Sequence, residues 1–265
     1  MYMYKWRTVM KFLLRFVCIF AWIGLQACMP YRTTDGPMKI LEDTLDCATR
    51  PTTLVVFLPG AYDTPQDFKD YGFVSALRKR NIEADVLLVD AHVGYFTNQQ
   101  IVQRLEDEVI LPAKARGYQN IWFVGISLGG YGTLLYSMRK PADINGFFIM
   151  APYMGPRDIP AEIYRQGGLK TWASDVQGNM DIDLWRWLKG YSGASSNMPQ
   201  AYIGYGASDR FEKPNQLLAD VLPRERGFVI PGGHDWATWQ GLWNNFLEVA
   251  PLPKLASDQK NCKVN

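Results

Sequence analysis

Residues 121–130 read Ile-Trp-Phe-Val-Gly-Ile-Ser-Leu-Gly-Gly, and this stretch decides how the chain is interpreted. The apolar run at 121–124 predicts a short buried strand, and residues 130–139 predict a helix. Glycines two positions before and after Ser127 let the strand and the helix approach each other closely. The turn is therefore sharp and presents the Ser127 hydroxyl at the carboxyl edge of a sheet, above the amino end of a helix. This order of elements predicts a nucleophilic serine.

A serine hydroxyl needs a base to act as a nucleophile at neutral pH, and the chain contains only two histidines, His92 and His234. Both follow predicted strands and are expected at the same edge of the sheet as Ser127. The chain order nucleophile, acid, base selects His234 as the catalytic base. His92 precedes the serine, so we predict a loop imidazole held by hydrogen bonds, with a place in the substrate pocket as the alternative.

The acid is expected after a strand that lies between Ser127 and His234. Asp209 follows the apolar run at 201–205 and meets this condition. A buried carboxylate there would select the tautomer of His234 and stabilise its imidazolium form. Glu212 is the alternative acid, although it is predicted to enter a helix. Asp235 adjoins the histidine and is instead predicted to cap the last helix.

An oxyanion hole requires two backbone N–H donors near the nucleophile. The amide of Leu128, directly after Ser127, is the first predicted donor. The second is expected from the loop at 58–63, where Gly60 lets the backbone come close to the serine. We predict the amide of Ala61, with the amide of Tyr62 as the alternative.

Short apolar runs alternate with amphipathic stretches along the chain. The predicted strands lie at 53–58, 84–89, 121–124, 146–150, 201–205 and 227–230. The predicted helices lie at 67–80, 99–115, 130–139, 182–188 and 238–249. This alternation predicts an α/β fold with a mostly parallel sheet covered by helices on both faces. A single domain over 51–250 accommodates all of these elements.

The interval 152–200 interrupts the alternation and is predicted to be a lid insertion. It contains Trp172, Trp185 and Trp187. These tryptophans either line an apolar acyl pocket or pack a small subdomain, and the sequence leaves both alternatives open.

Taken together, the serine turn, the Pro59-Gly60 loop, Asp209 and His234 resemble the α/β-hydrolase superfamily over residues 51–250. The stretch Gly-His-Asp-Trp-Ala-Thr-Trp at 233–239 is similar to the base loop of esterase-D-like carboxylesterases. The resemblance implies an eight-stranded sheet with a lid after the sixth strand.

We interpret the chain as a serine hydrolase that acts on a small-molecule ester or thioester and requires no metal or organic cofactor. A peptidase or an acyltransferase would use the same three residues. A non-catalytic exported lipoprotein that keeps the fold as a binding scaffold is the alternative from another class.

The first 27 residues have the composition of a secretory signal peptide. Four basic residues and no acid accompany an apolar run of ten residues at 16–25, which is too short to span a bilayer. The segment ends Leu-Gln-Ala before Cys28, and this ending resembles the bacterial lipoprotein signal in which the cysteine carries lipid such as palmitate. We therefore expect export to the cell envelope, with a lipid anchor in the membrane facing the periplasm or at the cell surface.

The balance of basic and acidic residues excludes nucleic acid as a partner. The whole chain has 28 basic and 26 acidic residues, and removal of residues 1–27 leaves 24 basic and 26 acidic residues. The mature protein then lacks the basic surface that nucleic-acid binding requires.

If Cys28 carries lipid, two cysteines with free thiols remain after processing. The predicted tether and N-terminal edge at 28–50 contains Cys47, and the predicted C-terminal tail at 251–265 contains Cys262. An oxidising compartment would allow these two thiols to pair. The alternative is two unpaired thiols near the chain ends.

Overall fold

The computed structural model describes residues 32–47, 49–193, 197–256 and 262–264. The predicted signal peptide at 1–27 and Cys28 lie outside the described residues, so these two interpretations remain predictions. The described residues from Thr34 onward form one compact unit. Among the described residues, no helix combines the length and the apolar character that a membrane crossing requires.

Nine strands form two sheets in the described part of the chain. They are β1 (Ile40–Asp43), β2 (Leu45–Asp46), β3 (Thr53–Leu58), β4 (Asp85–Val89), β5 (Asn120–Ile126), β6 (Gly146–Met150), β7 (Gln200–Gly206), β8 (Gly227–Ile230) and β9 (Lys263–Val264). The main sheet has seven strands in the order β1-β4-β3-β5-β6-β7-β8. All its pairings are parallel except that of β1 with β4. Within the described residues, the main sheet thus has seven strands, one fewer than the eight that the resemblance implied.

Ten α-helices accompany these strands in the described residues. They are α1 (Pro65–Asp70), α2 (Phe73–Lys79), α3 (Val93–Thr97), α4 (Ile101–Leu105), α5 (Leu111–Ala115), α6 (Leu128–Arg139), α7 (Asp158–Arg165), α8 (Met180–Lys189), α9 (Glu212–Ala219) and α10 (Trp236–Val249). Three short 3₁₀ turns occur at Pro141–Asp143, Gly190–Ser192 and Arg224–Arg226.

Helices cover both faces of the sheet, as the continuous apolar strands predicted. Phe57 and Phe148 flank the same position of β5 and therefore point to one face. Trp243 of α10 packs against both of these rings, at 5.5 and 6.2 Å between centroids. Phe123 is one residue before that position of β5, so its side chain points to the opposite face of the sheet. There it contacts Tyr136 of α6, at 5.3 Å between ring centroids. With both faces covered, the central strands are buried along nearly their whole length.

Two helices that the sequence predicted as continuous are interrupted. The predicted helix at 67–80 is divided into α1 and α2 at Gly72, whose φ of +77° lies outside the helical region. The predicted helix at 99–115 contains a π-helical turn, Glu106–Ile110, between α4 and α5. Pro112 follows this turn, and a proline has no N–H to donate to the preceding turn of an α-helix. The backbone hydrogen bonds thus change from α-helical to π-helical spacing just before Pro112, where the N–H donor is missing.

The described part of the insertion at 152–200 contains α7 and α8. Trp172 and Trp185 are buried, and the Trp185 Nε1–H donates to the Met154 carbonyl oxygen at 3.1 Å. Trp187 is half-buried and packs against Tyr191. Of the two alternatives for these tryptophans, this burial favours a packing role over a place in an open acyl pocket.

The N-terminal edge is built from elements that the sequence did not reveal. Strand β1 has polar, partly exposed residues, so its apolar pattern is weak. Beside it, β2 and β9 form a separate two-stranded sheet. A disulfide joins Cys47 and Cys262, whose Cα atoms are 4.6 Å apart. Of the two alternatives for these cysteines, the structure shows the pair.

The disulfide should contribute strongly to stability because it closes a loop of 215 residues. Replacing both Cys47 and Cys262 by serine should lower the free energy of unfolding by about 4–5 kcal/mol, through the larger entropy of the unfolded chain. Guanidinium denaturation of the two proteins measures the difference, with the wild type under reducing conditions as the control. Non-reducing peptide mapping that finds both thiols free would contradict the pairing.

Candidate active site

Ser127 occupies a strained turn between β5 and α6. Its φ of +51° and ψ of −112° lie in a region that non-glycine residues rarely adopt, at a cost of about 1–3 kcal/mol. Hydrogen bonds hold the turn: the Ser127 amide donates to the Met150 carbonyl at 3.0 Å, and its carbonyl accepts from the Tyr153 amide at 3.0 Å. The surrounding backbone thus determines the direction of the serine side chain.

The two glycines of the turn are required by close packing. A Cβ atom on Gly129 would lie 2.1 Å from the Leu58 carbonyl oxygen. A Cβ atom on Gly125 would lie 2.5 Å from the Gly129 carbonyl oxygen. Only residues without a side chain allow the strand, the helix and the end of β3 to meet at this point.

His234 and Asp209 complete a hydrogen-bonded chain with Ser127. The His234 Nε2 atom lies 3.0 Å from the Ser127 Oγ atom, and its Nδ1 atom lies 2.9 Å from the Asp209 Oδ2 atom. A carboxylate only accepts hydrogen bonds, so Nδ1–H donates to Asp209. This tautomer leaves the Nε2 lone pair available to accept from the Ser127 hydroxyl.

The loops after β7 and β8 bring the aspartate to the histidine. The Ala207 amide donates to the Ile230 carbonyl at 2.8 Å, and the Ser208 amide donates to the Gly232 carbonyl at 2.9 Å. A Cβ atom on Gly206 would lie only 2.4 Å from the same Gly232 oxygen. The two loops therefore run side by side, which places Asp209 next to His234.

Aromatic rings hold the His234 imidazole in place. The rings of Phe211 and Trp239 lie 5.2 and 5.1 Å from it, and both meet it edge to face. The second carboxylate oxygen of Asp209, Oδ1, accepts from the Phe211 amide at 2.7 Å, and Asp209 is buried. Both partners of the hydrogen bond between Asp209 and His234 are thus restrained by neighbouring groups.

The alternative residues occupy other positions. Asp235 caps α10, where its carboxylate accepts from the Thr238 amide at 2.9 Å. Glu212 is the first residue of α9. His92 is buried and caps α3, where its Nδ1 atom accepts from the Gly94 amide at 3.1 Å. His92 therefore has the hydrogen-bonded loop position that the sequence predicted.

The loop after β3 lies beside the nucleophile. A Cβ atom on Gly60 would lie 3.6 Å from the Ser127 Cβ atom. Ala61 and Tyr62 follow Gly60 directly, and Leu128 is the first residue of α6. The structure thus brings both segments that carry the predicted oxyanion donors to Ser127.

Asp63 lies at the site, although no sequence pattern marks it as a site residue. The Trp236 Nε1–H donates to its carboxylate at 3.2 Å, so the loop after β3 is joined to the start of α10. Burial raises the pKa of Asp63, while the hydrogen bond from Trp236 opposes this shift. The two residues are 173 positions apart, and no local pattern marks the contact.

A cleft of about 950 Å³ opens beside the site, between the insertion and the loop after β7. Tyr153, Asp209 and Phe211 contribute to its walls. Since Phe211 also packs against His234, the cleft begins next to the hydrogen-bonded chain.

No protein-family model matches the chain, and no curated protein sequence matches it. The fold is nevertheless shared with solved hydrolase structures. An S-formylglutathione hydrolase from Staphylococcus aureus aligns with a TM-score of 0.53 at 15% identity, over 75% of this chain and 80% of that one. Est1E from Butyrivibrio proteoclasticus aligns with a TM-score of 0.52 at 14% identity, over 81% and 98%.

A third structure is a substrate-bound fluorophosphonate-binding serine hydrolase, FphF, also from Staphylococcus aureus. It aligns with a TM-score of 0.50 at 13% identity, over 81% of this chain and 98% of that one. With the sheet order and the helical layers described above, these likenesses show that the chain has the α/β-hydrolase fold.

The cap at Asp235 should make a pH-dependent contribution to stability. Hydrogen bonds, chiefly from the Thr238 amide, lower the pKa of Asp235 below its ordinary value of 3.8. Its stabilising effect is therefore complete above that value and is lost as the pH falls through the lowered pKa. We expect Asp235→Ala to reduce the free energy of unfolding by about 1 kcal/mol at neutral pH.

Urea denaturation of the wild type and the alanine variant, in steps from pH 7 to pH 3, measures this difference. Asp235→Asn is the matched control because asparagine retains a cap acceptor without a titrating carboxylate. An alanine variant as stable as the wild type at pH 7 would show that the cap contributes nothing.

Proposed function

We propose that the protein is a serine hydrolase that cleaves a carboxylic ester or a thioester through an acyl-enzyme on Ser127. One observation carries this proposal: Ser127, His234 and Asp209 form a continuous chain with distances of 3.0 and 2.9 Å. These three hydrogen-bonded residues lie at the carboxyl edge of the parallel strands, where folds of this type carry their functional sites. The likeness in fold to esterases and serine hydrolases supports the same class of reaction.

The first half of the reaction acylates the serine. The Ser127 Oγ atom attacks the substrate carbonyl while its proton moves to the His234 Nε2 atom. The imidazolium that forms is stabilised by the Asp209 carboxylate. Collapse of the tetrahedral intermediate expels the alcohol or thiol, which takes the proton from His234.

The second half regenerates the enzyme. A water molecule transfers its proton to His234 and attacks the acyl group on Ser127, and the acid product leaves as Ser127 is reprotonated. In both halves, the amides of Ala61 and Leu128 donate hydrogen bonds to the oxyanion. Leu128 begins the 12-residue helix α6, so the positive end of its dipole adds to this stabilisation.

A fluorophosphonate probe tests this function directly because it labels only an activated serine. We expect the wild type to be labelled and Ser127→Ala and His234→Ala to lose labelling. With a short 4-nitrophenyl ester, His234→Ala should lower kcat by about 10⁴-fold, since the nucleophile loses its proton acceptor.

His92→Ala is the matched control because it removes the other imidazole of the chain. It should retain labelling and lose at most about tenfold in kcat, a packing effect. Cooperative thermal unfolding must accompany each variant. An unlabelled wild type would favour the non-catalytic scaffold, whereas near-normal turnover of His234→Ala would overturn the assigned base.

We also propose that the protein is exported and anchored by lipid on Cys28. The support is the basic start, the ten-residue apolar run and the Leu-Gln-Ala ending before the cysteine. Mass spectrometry of the mature protein should find an acylated cysteine as its first residue. A mature chain that begins elsewhere without lipid would refute the anchor. Cys28→Ser provides the control, since it should abolish the lipid mass.

A further inference from the structure

The cleft beside the site combines apolar walls with a basic rim. Tyr153, Pro160 and Phe211 are among its apolar lining residues. Arg157, Arg210 and Lys213 also line it, and all three are exposed. We refer to these three residues as the basic rim.

The cleft lies next to the hydrogen-bonded residues of the site: Asp209 lines it, and Phe211, which also lines it, packs against His234. The Phe211 ring lies 5.2 Å from the His234 ring and 5.9 Å from the Tyr153 ring. The Tyr153 amide in turn donates to the Ser127 carbonyl oxygen. Phe211 therefore stands between the cleft and His234, and a molecule attached to Ser127 would have to pass this ring to reach the cleft.

Within the described residues, the basic rim lacks the ion pairs that other cations of the chain form. Arg78 pairs with Asp43, Arg116 with Glu42, and Lys140 with Glu106. Among the described residues, no carboxylate oxygen lies within 4 Å of a side-chain nitrogen of Arg157, Arg210 or Lys213.

Two acidic residues line the same cleft, and neither neutralises the rim. Asp209 forms its hydrogen bond with His234, and Glu212 is outnumbered by the three cations. The Arg210 guanidinium lies 5.0 Å from the centre of the Phe211 ring, so its charge is held against the wall nearest to His234. The residues that line the cleft thus carry three positive and two negative charges, a small positive excess, although the mature chain has more acidic than basic residues.

From this arrangement we propose that the substrate carries an anionic group, a carboxylate or a phosphate, that binds the basic rim. An apolar spacer between this group and the scissile carbonyl lies against Tyr153, Pro160 and Phe211. Guanidinium groups bind both kinds of anion through paired hydrogen bonds. This proposal rests on the proposed function and adds one property of the substrate, its negative charge.

Matched esters test the proposal on the acyl side and on the leaving-group side. The acyl pair is mono-4-nitrophenyl adipate and the neutral 4-nitrophenyl hexanoate, which have the same chain length. The leaving-group pair is 4-(hexanoyloxy)phenyl phosphate and the neutral 4-methoxyphenyl hexanoate. We expect the anionic member of at least one pair to have the higher kcat/KM, by about tenfold at low salt.

The rim residues should account for this preference. In the triple variant Arg157→Gln/Arg210→Gln/Lys213→Gln, the ratio of kcat/KM between anionic and neutral esters should fall to about one. About 0.5 M salt should reduce the wild-type ratio in the same direction, because exposed charges are screened. Arg165→Gln is the matched control: Arg165 lies on α7, is exposed, and does not line the cleft.

The outcomes separate this proposal from the function on which it rests. A wild type that neither reacts with fluorophosphonate nor cleaves any of the four esters would overturn the proposed function. A labelled, active wild type with equal kcat/KM for both members of each pair would overturn the anionic substrate alone. A preference that survives in the triple variant would likewise exclude the basic rim as its cause and overturn the proposal. Fluorophosphonate labelling and cooperative melting of each variant show that the triad is intact.

Discussion

The close approach of three backbone segments at Gly129 is the constraint on which the site depends. The end of β3, the end of β5 and the start of α6 meet there, with no room for a Cβ atom. The strained conformation of Ser127 follows from this contact, and hydrogen bonds from neighbouring segments stabilise it. The same contact brings Gly60 beside Ser127, so the nucleophile and the loop with the predicted oxyanion donor are positioned together.

The position of His234 depends on how α10 packs against the sheet. Trp236 and Trp243 of this helix contact Phe73 of α2, and Trp243 also contacts Phe57 of β3. Rings in such edge-to-face and stacked arrangements bury a large apolar area in a specific geometry. Asp235 caps the same helix, so His234, the residue just before Asp235, is held in position by this packing. The imidazole is thus placed by a helix anchored in the core rather than by a free loop.

The insertion is joined to the helix that follows the nucleophile. The Tyr131 hydroxyl of α6 donates to an Asp181 carboxylate oxygen of α8 at 2.6 Å. Buried tryptophans pack the interior of the insertion, and its outer residues form one side of the cleft. The insertion therefore has two roles: its apolar residues stabilise it against the domain, and its exposed residues shape the surface next to the site.

The sequence by itself determined the elements and the chain order of the site. The strand–turn–helix around Ser127, the alternation of strands and helices, and the selection of His234 over His92 all follow from local patterns and from order along the chain. Tertiary structure alone decided which distant residues meet. Cys47 and Cys262 pair across 215 positions, and Asp63 meets Trp236 across 173. Such contacts, and the cleft cations that form no ion pair with a carboxylate of the described residues, depend on how separate segments pack, and local propensity does not encode that packing.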